Sequence, residues 1–151
     1  MSRGTELTDR IMLALSEITL AGGYQTDAGQ RVKRGRPESL QLKSSDLPMI
    51  SVSTEINAPE AVKPRTVRKL RSVEIVGMVD AADRDYEPDL DSLDEDISIA
   101  LAKLTGIDEL PGTLSLEISG GEYRHPDSGS NIAGVTHTVT IGYVLTTKPQ
   151  P

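Results

Sequence analysis

The chain has 151 residues, near the usual size of one compact domain, so a single core over residues 1–151 is expected. The absence of cysteine excludes disulfides, thiolate nucleophiles and thiolate metal sites together, and with no Phe or Trp and four Tyr the core has to be aliphatic. The net charge of −7 is unevenly divided: residues 1–75 carry 12 Lys/Arg against 9 Asp/Glu, and residues 76–151 carry 4 against 14.

In chain order, Leu7, Ile11, Leu15 and Ile18 recur at helical spacing, and Gly22-Gly23 supplies a stop, so a first helix lies on a core. The segment from Tyr24 to Arg34 reads as short polar strands around an Asp27-Ala28-Gly29 turn, in which Gly29 can take positive φ. Arg31, Lys33, Arg34 and Arg36 crowd its second arm, which predicts a basic hairpin that projects from the body. Pro48–Thr54 alternates Ile50, Val52 and Thr54 on one face, as a half-buried strand does. Residues 57–66, with Pro59 and Pro64 and few apolar groups, predict a flexible loop; Lys63, Arg65, Arg68, Lys69 and Arg71 follow at its far end.

Val73, Ile75, Gly77 and Val79, interleaved with Val76 and Met78, predict a central strand buried on both faces. Asp80–Asp96 holds nine Asp/Glu and one Arg. Asp91 is the expected N-cap of a second helix, with Asp94, Glu95 and Asp96 in its first turn and Leu93, Ile97, Leu101 and Leu104 on its apolar face, up to Gly106. Two strands close the chain, one with Leu114, Leu116 and Ile118 alternating and one with Val135, Val139, Ile141, Tyr143 and Leu145, joined by a loop over 120–131. The expected class is α+β: two helices packed on one face of a mostly antiparallel or mixed sheet, with a projecting β-hairpin.

The apolar run Ile11–Leu15 is far shorter than the roughly 20 residues a membrane helix needs. The first residues lack an apolar stretch behind a basic start, so synthesis in the cytoplasm is expected. Candidates for chemistry are few. Glu122, His125 and Asp127 share one loop, but their spacing matches no established ligand pattern, and His137 falls on the inward face of a strand. The alternating acids Asp83, Asp85, Glu87, Asp89 and Asp91 lack the central Gly and terminal Glu of a calcium loop. Neither a catalytic residue, a cofactor nor a metal is predicted. A nucleic-acid-binding module using the basic hairpin and the 63–71 segment is the alternative reading, against which stand the overall acidity and the scarcity of stacking aromatics.

Several segments together carry a likeness. An amphipathic N-terminal helix leads into Gly23-Tyr24-Gln25-Thr26-Asp27-Ala28-Gly29, a basic arm, and Leu47-Pro48-Met49-Ile50-Ser51-Val52; a long central strand, an acid-rich helix and a closing strand pair follow. In order and character this resembles the tail terminator proteins of long-tailed bacteriophages, the minor tail protein U-like group. The resemblance implies a small α+β virion subunit that forms a hexameric ring on the head-proximal end of the tail tube, stops tube polymerisation and presents a surface for head joining. It implies contacts with copies of itself, the tail tube protein and a head-completion or neck protein, with DNA only as cargo through the lumen.

Carried onto this chain, the expected assembly residues are Tyr24, Thr26, Asp27, Gly29, Arg31, Lys33, Arg34 and Arg36 in the hairpin, Lys63, Arg65 and Arg68 in the loop, and Asp83, Asp85 and Glu87 in the acidic segment. The charge division further predicts that basic segments of one subunit approach the acidic 80–96 region of the next.

Overall fold

Residues 2–82, 85–104, 112–127 and 130–146 are described in a computed structural model of the chain. Ser2 caps the first helix, its hydroxyl accepting from Thr5 N–H at 3.0 Å, and α1 runs Arg3–Ser16 with Leu7, Ile11 and Leu15 buried on one stripe. It ends well before Gly22. Ser16 Oγ donates to the Leu13 carbonyl and Glu17 N–H to the Ala14 carbonyl, bonds over three residues that close the last turn, so Ile18 is buried from beyond the helix.

The expected hairpin at Tyr24–Arg36 does not form. Ala28–Arg31 is a 3₁₀ turn and Val32–Arg34 is a short strand, β1, parallel to β2 (Met49–Lys63), with Val32 opposite Ile50. The segment is pinned at two points. The buried Asp96 carboxylate accepts from the Gln25 and Thr26 N–H groups, and Gly29 N–H donates to the Ile18 carbonyl at 2.8 Å. Gly29 has no positive φ; its role is close approach, since a Cβ there would lie 2.5 Å from the Ile18 carbonyl oxygen.

The projecting hairpin lies elsewhere in the chain. β2 continues past Thr54 through the stretch expected to be a loop, turns at Pro64-Arg65 with Arg65 at φ 63°, and returns as β3 (Thr66–Asp80). The outer half of β2 buries nothing, so it carries no alternation, and Pro59 sits where a proline is tolerated, on an edge strand between two bulges. α2 (Glu87–Ala102) starts four residues before Asp91, with Tyr86 at its N-cap and Pro88 in the first turn. β4 (Thr113–Arg124) carries on through the Gly120-Gly121 bulge expected to be loop, and β5 is Ile132–Thr146.

The sheet order is β1-β2-β3-β5-β4, with every pair antiparallel except β1–β2, and β3 is central as its apolar run predicts. One face carries both helices and the core, where Val52, Ile75, Val135 and Val139 meet Leu7, Ile11, Leu93 and Ile97. Gly77 lets α2 settle, because a Cβ there would stand 2.7 Å from Ile97 Cδ1 and 2.8 Å from Leu93 Cδ2. The α+β class, with two α-helices and a mixed sheet among the described residues, therefore holds.

Candidate assembly surface

A helix of 14 or 16 residues spans about 21–24 Å, whereas strands of 15 residues span about 50 Å, so α1 and α2 cover only part of the sheet. The remainder extends as a four-stranded arm made of the outer parts of β2, β3, β5 and β4. At its end Val62, Val67 and Leu145 stand opposite one another in one row on the helix-bearing side, with Val62 70% and Leu145 39% exposed. Ile56 and Leu114 add exposed aliphatic surface, and on the other side Leu70 and Arg68 line a shallow cleft of about 340 Å³ with Glu60, Leu114 and Glu117.

Where arm meets body, Arg71 is 8% exposed. Its Nε and Nη2 donate to Thr8 Oγ1 at 3.1 and 2.8 Å, Nη2 also donates to Thr54 Oγ1 at 2.8 Å, and the Tyr143 hydroxyl beside it donates to Asn57 Oδ1. All these partners are neutral. Burial holds the guanidinium pKa below its ordinary value, and the Tyr143 hydroxyl opposes that shift. The cluster ties the first turns of α1 to the root of the arm. Because Arg71 is enclosed, the 63–71 basic segment presents only its first four cations outward.

The expected assembly residues fall in three places. Those of the 24–36 segment belong to the body. Tyr24 lies under Lys103 Nζ at 5.1 Å from its ring centre, Thr26 is bound to Asp96, and Gly29 is buried. Arg31 pairs with Asp27 at 2.6 Å and donates to the Pro48 carbonyl, Arg34 pairs with Asp9 at 2.6 Å, and Arg36 with Glu55 at 2.8 Å. Of that basic set, Lys33 alone makes no ion pair among the described residues. Lys63, Arg65 and Arg68 lie on the arm, exposed and likewise unpaired among the described residues, together with the half-buried Lys69. Asp85 and Glu87 are exposed at the start of α2, and Asp83 lies outside the described residues.

The helix acids have specific jobs that a dipole argument does not foresee. Asp91 accepts from the Tyr123 hydroxyl at 2.6 Å, Asp94 meets His137 Nε2 at 2.7 Å, and Asp96, 1% exposed, holds residues 25 and 26. Burial, reinforced by the Asp91 hydrogen bond, pushes the Tyr123 phenol well above its usual range. His137 is buried on the inward face, as its strand position predicts. His125 Nδ1 bonds the Tyr86 hydroxyl, and among the described residues no group of three or more His, Asp or Glu side chains is arranged to hold a metal ion.

On the side of the sheet away from the helices, Arg36, Glu38, Glu55, Glu74, Arg124 and Asp127 line a cleft of about 460 Å³. Glu74 is raised above the ordinary carboxylate range, first by burial and then by Glu55, with Arg36 and Arg124 opposing. No described helix is long and apolar enough to cross a membrane. No protein-family model matches the chain, and no curated protein matches it.

Proposed function

We propose that this protein is a structural subunit that assembles with copies of itself into a ring and, by the likeness read from its sequence, closes the head-proximal end of a phage tail tube. The observation that carries self-assembly is the bare arm. A single copy leaves the outer ends of β2, β3 and β5 without a helix on either face among the described residues, and that part combines an aliphatic row with cations that make no ion pair among the described residues. Exposed apolar surface of this kind marks sites of association. The placement in a virion, the hexameric number, and the tail tube and head-completion partners come from the resemblance alone, and catalysis has no part in this reading.

Size-exclusion chromatography with light scattering, followed by electron microscopy, tests it. A closed ring that blocks elongation of tail tube protein in a polymerisation assay is expected. A protein that stays monomeric at every concentration, or one that binds DNA with a steep salt dependence instead of associating, overturns it.

A further inference from the structure

We infer that the arm of one copy docks on the outer face of α2 in the next. This rests on the self-assembly reading and specifies its contact. On the arm, Val62, Val67 and Leu145 form a row that neither α1 nor α2 covers, Lys69 projects from the same face, and Lys63, Arg65 and Arg68 surround the tip. None of these four cations makes an ion pair among the described residues.

The surface that matches it is α2. The helix holds six acidic residues and no basic one over Glu87–Ala102. Asp91, Glu95 and Ile99 follow one another at four-residue spacing along its exposed side, so one stripe carries two carboxylates and then an aliphatic side chain that is 47% exposed. The local partners of the two acids are neutral, the Tyr123 hydroxyl on Asp91 and the Gln25 amide on Glu95, so their negative charge is left standing. The arm and α2 thus have the same composition of parts with opposite sign, an aliphatic patch beside like charges.

Three of the four cations of the 24–36 segment do not compete for this role, since Arg31, Arg34 and Arg36 are already paired with Asp27, Asp9 and Glu55, which leaves Lys33 against the four of the arm. A second copy fits the arm better than nucleic acid does. The cations stand around both faces and the tip instead of along one track, Glu60 and Glu117 share a cleft with Arg68, and the exposed row is aliphatic with nothing to stack on bases. A contact between two different surfaces of one chain repeats head to tail, and closes into a ring when the rotation allows it.

Two charge-reversal variants test the contact. One carries Lys63→Glu, Arg65→Glu and Arg68→Glu, and the other carries Glu87→Lys and Glu95→Lys. Each alone places like charges on both surfaces and should weaken association on the order of tenfold at low salt, as several exposed pairs together do. An equimolar mixture restores opposite charges at every interface and should co-assemble, whereas wild type should weaken as the screening length falls to about 8 Å. Circular dichroism confirms folding of both variants. If wild type assembles and both variants assemble equally well, the contact is wrong while self-assembly stands. If wild type never assembles, the reading beneath it fails as well. Tight binding of duplex DNA by monomeric wild type, lost in the arm variant, assigns the arm to nucleic acid and overturns the inference.

Discussion

Replacing Asp96 with Ala should unfasten the segment between α1 and β1. The carboxylate is 1% exposed and accepts from Gln25 N–H at 3.0 and 3.1 Å, Thr26 N–H at 2.8 Å and Thr26 Oγ1 at 2.8 Å. The Thr26 hydroxyl is free to rotate, whereas the two backbone donors are fixed in direction by the chain. Hydrogen bonds to a charged acceptor contribute about 1.5–3 kcal/mol each, and a stranded buried donor costs about 1–3 kcal/mol, so a loss of about 3–5 kcal/mol follows from two of them. Against a total stability of about 5–15 kcal/mol this is severe, and at about 2–4 °C per kcal/mol it lowers Tm by roughly 10 °C. Urea denaturation followed by circular dichroism measures it, with the neighbouring exposed Glu95→Ala as control. Thr26→Val, which removes only the hydroxyl, should cost about 1 kcal/mol. If Asp96→Ala loses no more than Glu95→Ala, the segment is held by something other than this carboxylate.

Gly29→Ala should destabilise by about 1–3 kcal/mol or more in the same assay, because the new methyl meets backbone, the Ile18 carbonyl, that cannot swing aside. Glu74→Gln should raise stability at neutral pH: the raised pKa of Glu74 means the folded state favours the neutral carboxyl, so wild type loses stability as pH rises through the folded pKa, and the advantage of Gln should disappear when wild type is compared below pH of about 4. Val62→Ser with Leu145→Ser should leave the melting temperature nearly unchanged, since both side chains are exposed, while weakening self-association in sedimentation velocity.

What could be read from the residues was what the core dictates. Leu7, Ile11 and Leu15 and the alternation Val135–Leu145 each report one buried face and appear in their expected elements. The run Val73–Val79 makes the central strand but is covered by helices on one face only, Val76 and Met78 lining the cleft on the other instead of a second buried layer. The errors lie where burial does not write the pattern. The outer half of β2 pairs with β3 but covers nothing, so its polar composition and Pro59 imitate a loop. The 24–36 segment imitates a hairpin because its true restraint is Asp96, 70 residues away in sequence from Thr26. The site was legible in the same proportion. The cations Lys63, Arg65 and Arg68 were readable in the sequence, but nothing local showed that Arg34 and Arg36 answer to Asp9 and Glu55, or that Val62 and Leu145 share a row.

The bulges that interrupt the outer strands bear on how such a chain survives at high concentration. An open strand edge invites strand after strand to add without limit, the route to fibrils. Here the β2 ladder is broken between Thr54 and Ile56 and again between Pro59 and Ala61, and the β4 ladder between Thr113 and Ser115 and between Gly120 and Glu122. No long regular edge is left for an incoming strand to follow. These breaks disfavour amyloid-like strand addition along the edges and leave the faces of the arm as the surfaces on which a partner is chosen.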